Sequence, residues 1–123
     1  MKSFIILSVV MAITVANGNM YYTTENDYLD IDAVMMDQSQ VNRYMNCFLD
    51  RGSCDSLMTS YKRHIPDAIP TACQKCNNAQ KHLWNRFLRV LKSKYPSHYS
   101  SFQQKYDPKC VHMASLENAV ADY

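Results

Sequence analysis

The chain reads as an all-α domain of six helices around an apolar interior. Only two glycines, Gly18 and Gly52, occur in 123 residues, too few for a sheet joined by tight hairpins. Apolar residues recur at helical spacing, and no tract alternates apolar and polar side chains for long.

The elements follow in order. Ile31, Val34 and Met35 mark a short first helix capped by Asp30. Val41, Tyr44, Met45, Phe48 and Leu49 recur at i, i+3, i+4, i+7 and i+8 behind a cap expected at Ser39, the stripe of an amphipathic helix. Leu57, Met58, Tyr61 and Ile65 give a third helix, which Pro66 and Pro70 are expected to break into an irregular connection. Cys76, Ala79, Leu83, Trp84, Phe87, Leu88, Leu91 and Tyr95 form the strongest pattern, about five turns, with Lys81, Arg86, Arg89 and Lys92 mostly off the stripe. Pro96 ends that helix and opens the next at no hydrogen-bonding cost, with Tyr99, Phe102 and Tyr106 along one face. Asp107 and Pro108 repeat the cap-then-proline pattern before a weaker last helix carrying Met113, Leu116 and Val120.

Lys2, an apolar run from Phe4 to Ile13 and small residues at Ala16 and Gly18 have the three parts of a secretory signal peptide. The expected organisation is a leader over residues 1–18 and one helical domain over 19–123. The run is shorter than the roughly 20 apolar residues that span a bilayer, and no second one follows, so no membrane anchor is expected. Thirteen Lys and Arg face eleven Asp and Glu. That near-balance disfavours nucleic acid and anionic membrane surfaces, whose affinity rests on clustered positive charge.

Export places the thiols in an oxidising compartment, where disulfides are expected. Cys47, Cys54, Cys73 and Cys76 are separated by six, eighteen and two residues; four cysteines allow three pairings, and spacing does not choose among them. Sequential pairing would close two short loops, each worth about 2 to 3 kcal/mol on the chain-entropy model. Cys110 is left over by parity, either free, buried or an intermolecular link, so the expected state is mainly monomeric with a Cys110-linked dimer as the alternative.

The cysteine spacing resembles that of the insect chemosensory proteins, also called the OS-D or pheromone-binding A10 family. Tyr22, Thr23, Asp27, Asp30 and Asp32 resemble the family's opening Y-T-x-x-Y-D-x-x-D-x-D. Tyr44, Cys47, Leu49, Asp50, Gly52 and Cys54 look like its Y-x-x-C-L-L-D-x-G-x-C. Pro66, Asp67, Ala68, Ile69, Thr71, Cys73, Lys75, Cys76, Gln80 and Lys81 look like P-D-A-L-x-T-x-C-x-K-C-x-x-x-Q-K, and Lys105 to Pro108 supply K-Y-D-P. The resemblance implies a secreted six-helix domain with Cys47 paired to Cys54 and Cys73 to Cys76. It also implies an apolar channel for fatty acids, long-chain alcohols, esters or similar semiochemicals. The chain departs from the pattern at Asn26 and Tyr99, where the family has Tyr and often Trp, and at Leu57 and Met58, which replace a more polar pair. Trp84 stands at a site often small, and Cys110 where glycine commonly follows K-Y-D-P. These changes bear on the shape of the channel.

The composition suits that role, with nine Tyr, eight Met and four Phe. An apolar carrier needs surfaces that gain about 25 cal/mol per Å² removed from water. Aromatic rings supply such area, phenols can bond a polar head, and methionine adapts to irregular shapes. The candidate ligand-binding residues are Tyr44, Phe48, Met58, Tyr61, Ile65, Leu83, Trp84, Phe87, Leu91, Tyr99, Phe102 and Tyr106. Against them stands the reading of the same stripes as ordinary core.

No catalytic residue, metal or cofactor is expected. Cys73-Gln74-Lys75-Cys76 is a C-x-x-C, but thioredoxin-like redox sites place it in a βαβ unit. Zinc is disfavoured by export and by the wide first spacing. His64, His82, His98 and His112 are scattered and read as solvated surface residues, without the nucleophile and orienting group that hydrolysis needs. Asp27, Asp30 and Asp32 read as a helix-start cap. The expected function is a secreted carrier of small hydrophobic molecules in an extracellular fluid such as sensillum lymph; the rival is a secreted protein-interaction or developmental factor with an incidental cavity.

Overall fold

Five of the six helices in the described residues begin where a polar side chain takes up N–H groups that have no partner within the helix, and the sixth opens on a proline instead. The computed structural model describes residues 21–123; the leader expected at 1–18 lies outside the described residues. Asp30 accepts from the Ala33 N–H at 3.2 Å and starts α1, Ile31–Met36. Asp37 accepts from Ser39 and Gln40 N–H at 3.0 and 3.4 Å and starts α2, Gln38–Phe48. The cap of α2 is therefore Asp37 and not Ser39, which sits inside the first turn and donates its own hydroxyl to Asp37. A carboxylate two residues earlier serves both N–H groups and gains from the helix dipole.

Asp55 starts α3, Ser56–Ala68, by accepting from Met58 N–H at 2.8 Å. This helix continues through Pro66, where the sequence predicts a break. Proline in a helix interior costs about 3 kcal/mol or more, but the last turn seats Ile65, Ala68 and Ile69 at 3%, 0% and 0% exposure. Burying an aliphatic side chain gains about 1.5–3 kcal/mol, and that packing outweighs the missing bond. Asn77 and Gln80 form a reciprocal capping box for α4, Asn78–Lys94. Pro96 opens α5, Pro96–Tyr106.

The last helix, α6, Met113–Val120, is capped from a distance. Asp107 ends α5, and its carboxylate accepts from Val111, His112 and Met113 N–H at 3.1, 2.9 and 2.9 Å. Asp107 is 2% exposed. Burial opposes its ionisation, yet the three N–H donors outweigh burial and hold its pKa below the usual carboxylate value.

The described residues contain these six helices and no strand. Helix α1 packs on α2 and α4, α2 on α3 and α5, and α4 on α5 and α6. Met45, Leu91, Phe102 and Leu116 are fully enclosed at the centre. Cys47 is bonded to Cys54, tying the end of α2 to the approach of α3, and Cys73 is bonded to Cys76 in the turn between α3 and α4. Ala72 and Cys73 in that turn are left-handed, with φ 54° and 62°, a conformation costing about 1–2 kcal/mol per non-glycine residue. Cys110 is exposed and free, and it too is left-handed, with φ 56°.

Candidate functional site

Four helices and the segment before them line one apolar cavity of about 110 Å³ that is partly open to solvent. Helical spacing decides which residues face it. Helix α2 presents Val41, Tyr44 and Phe48; α3 presents Ser60, Tyr61, His64 and Ile65; α4 presents Gln80, Leu83, Trp84 and Phe87. Helix α1 adds Ile31, Val34 and Met35, and Cys76 completes the wall beside the second disulfide. The fifth side is irregular chain, which contributes Tyr22, Thr23, Asn26, Asp27 and Leu29.

That irregular strap, residues 22–29, is fastened by polar contacts to two helices. Toward α3, the Tyr22 hydroxyl donates to Asp67 at 2.5 Å, Asn26 Nδ2 donates to Ser60 at 2.7 Å, and the Tyr61 hydroxyl donates to the Asn26 carbonyl at 2.7 Å. Toward α4, Gln80 Nε2 donates to the Thr23 carbonyl and to Asp27, both at 2.9 Å, and Asn77 Nδ2 donates to Asp27 at 2.7 Å. Asp27 is itself buried.

The wall is aromatic and electrically neutral over most of its area. Phe48 meets Phe87 edge-on at 5.9 Å, and Trp84 meets Phe87 edge-on at 6.0 Å. Tyr22 stacks on His64 at 4.3 Å. Burial pushes the Tyr61 phenol up to about 12, with smaller contributions from Tyr44 and Asp27. Burial, and then the hydrogen bond and charge of Asp67, raise Tyr22; burial and Asp55 raise Tyr44. These hydroxyls stay protonated at any physiological pH.

Of the sequence-predicted ligand residues, Tyr44, Phe48, Tyr61, Ile65, Leu83, Trp84 and Phe87 line the cavity. Met58, Leu91 and Phe102 are packed into the core at 2%, 0% and 0% exposure. Phe102 stands behind the wall, 5.4 Å from Phe87 and 6.2 Å from Trp84. Tyr99 and Tyr106 turn away from the cavity, their hydroxyls donating to Glu117 and to the Phe48 carbonyl. The strap, the α1 residues, Val41, Ser60, Cys76 and Gln80 line the cavity without being among the expected ligand residues. The Ile31, Val34, Met35 stripe signalled a buried face, but not what it faced.

Two surface readings need correction. His64 is a half-buried wall residue, because it falls on the Tyr61 and Ile65 side of α3, where the Tyr22 ring covers it. The three early aspartates do not act together: Asp30 caps α1, Asp27 binds Asn77 and Gln80, and Asp32 pairs with Arg86 at 2.8 Å. Among the described residues no cluster of three His, Cys, Asp or Glu could hold a metal, and no helix is long and apolar enough to cross a membrane.

Comparison with known proteins agrees with this architecture. Residues 22–114 match the family described as insect pheromone-binding family, A10/OS-D. The chain is 28% identical over 109 residues to ejaculatory bulb-specific protein 3 of Drosophila melanogaster, covering 89% of this chain and 86% of that protein. It is 29% identical over 112 residues to allergen Tha p 1 of Thaumetopoea pityocampa, covering 91% and 89%. Among solved structures, a chemosensory protein in complex with bromo-dodecanol superposes with a TM-score of 0.73 at 27% identity, covering 79% of this chain and 97% of that one. The antennal chemosensory protein A6 of the moth Mamestra brassicae gives 0.66 at 26% identity, covering 82% and 94%.

Proposed function

Because the chain belongs to the insect pheromone-binding A10/OS-D family, we propose that it is a secreted carrier that reversibly binds and solubilises small hydrophobic molecules. Long-chain alcohols, esters, fatty acids and semiochemicals of similar shape are its ligands. The observation that carries this reading is the cavity itself, a void walled by Phe48, Leu83, Trp84, Phe87 and Ile65 in a domain of modest size. A similar chemosensory protein is described in complex with bromo-dodecanol, which supports an aliphatic guest here.

Binding is partitioning without chemistry. The wall offers apolar area and neutral hydroxyls, which hold an oily chain by desolvation. At about 110 Å³ the cavity is smaller than the roughly 300–1,000 Å³ of ordinary ligand pockets, so a long guest enters as the wall yields. Met35 can repack, and the strap is held by hydrogen bonds that cost little to exchange for water. Affinity around micromolar follows, with about −8 kcal/mol of binding free energy. The two disulfides and the leader-like residues 1–18 support export to an extracellular fluid such as sensillum lymph. The protein acts as a monomer, with exposed Cys110 available for a covalent dimer.

Displacement of a fluorescent apolar probe by aliphatic ligands of about 12 to 18 carbons tests the reading, and competition in the low micromolar range is expected. No displacement at tens of micromolar would favour the rival, a factor whose partner is a protein.

A further inference from the structure

The wall of the cavity offers a polar head no positive charge. No lysine or arginine lines it among the described residues, and its one carboxylate is the buried Asp27. Of the cations near it, Arg86 is paired with Asp32, Lys75 with Asp67 and Lys62 with Asp50, while Arg63, next to His64, is exposed and is not among the residues of the wall. The wall's hydrogen-bond donors are also largely occupied within the protein. Tyr22 donates to Asp67, Tyr61 to the Asn26 carbonyl, Ser60 to the Leu57 carbonyl, and Gln80 to Thr23 and Asp27. Tyr44, His64 and Trp84 keep polar hydrogens without a hydrogen-bond partner among the described residues, and all are neutral groups. Burial, and then the charge of Arg63, hold His64 below its ordinary pKa against the opposing pull of Asp67, so its ring is uncharged at pH 7.5.

A carboxylate head drawn in among the wall residues would lose part of its water and gain no cation from them, and Asp27 would repel it. Entering protonated would mean binding a proton at a pH about three units above the usual carboxyl pKa. A hydroxyl, aldehyde or ester head keeps one or two neutral hydrogen bonds at small net cost. We propose that the cavity selects long-chain molecules with one neutral polar head, such as alcohols, aldehydes and esters, over carboxylates of the same chain length. This selectivity rests on the carrier reading and narrows it.

The test is competition of a fluorescent apolar probe by 1-dodecanol, methyl dodecanoate, dodecane and dodecanoate at pH 7.5, on the oxidised protein and below micellar concentrations. Dodecanol and the methyl ester should compete at about tenfold lower concentration than dodecanoate. Equal or tighter binding of dodecanoate overturns the selectivity while leaving the carrier reading intact. Failure of every ligand, dodecane included, overturns both. His64→Lys places an ammonium group in the wall and should narrow the alcohol-to-acid ratio at least about threefold. An unchanged ratio, with helical circular dichroism preserved, overturns the electrostatic account. The unmodified protein decides the selectivity even if the variant misfolds.

Discussion

Gln80 and Asp27, far apart in the chain, are joined by a 2.9 Å hydrogen bond, and the same Gln80 amide nitrogen holds the Thr23 carbonyl at 2.9 Å. The Gln80 amide oxygen meanwhile accepts from the Asn77 N–H. One side chain therefore both starts α4 and fastens the strap across the cavity.

Gln80→Leu removes both functions at nearly constant volume. The expected loss is about 2 kcal/mol, from the broken capping box and the partner withdrawn from Asp27, measured by urea unfolding. Probe release in stopped flow should quicken. A release rate that stays at the parent value in a destabilised but folded variant would show that residues 22–29 do not control passage.

Phe102 and Trp84 touch, yet they answer to different demands. Phe102→Ala empties a fully buried site and should cost about 3–5 kcal/mol, seen as a large drop in the thermal midpoint. Trp84→Ala trims a half-buried wall residue, so probe affinity should change more than the midpoint does. The reverse ranking would place the guest elsewhere in the bundle.

The carboxylate of Asp107 gives α6 a sensitivity to acid. Its folded pKa lies below the unfolded value, so its contribution is complete above the unfolded pKa, about 3.9, and disappears as pH falls through the folded one. Acid unfolding followed by helical circular dichroism should be less steep below about pH 4 in Asp107→Asn than in the parent. Identical acid profiles would mean that the three N–H bonds add nothing to pH-linked stability.

Cys110 combines a free thiol with a left-handed backbone. Cys110→Gly and Cys110→Ser should both abolish any disulfide-linked dimer on non-reducing gels. Only the glycine variant relieves the φ of 56°; after the entropy glycine adds to the unfolded chain, it should exceed the serine variant by about 0.5–1 kcal/mol. Serine as stable as glycine would mean that the turn relaxes without strain.

Helix count and order were legible because the apolar stripes repeat every three to four residues, as Tyr44 to Phe48 and Leu83 to Phe87 do. The ends were less so. The helix through Pro66 follows from the burial of Ile65, Ala68 and Ile69, a tertiary effect that local proline rules do not contain. Asp107 acts five and six residues ahead, beyond the reach of an ordinary cap motif. Phe87 and Phe102 show why the site was only partly readable: both lie on apolar stripes, and packing alone decides that one faces the void and the other stands behind it. The strap has no periodicity, so partners such as Asp67 and Gln80 left no local trace. The resemblance marked Cys110 as a place for glycine, and its positive φ supplies the reason.

The fastening of residues 22–29 has a bearing on biogenesis. They leave the ribosome before the rest of the domain, while their anchors on α3 and α4 emerge some 34 to 57 residues later. With synthesis at about 5–20 residues per second, these first residues must wait several seconds for their partners, and the compartment they close is completed only after α4 has been made.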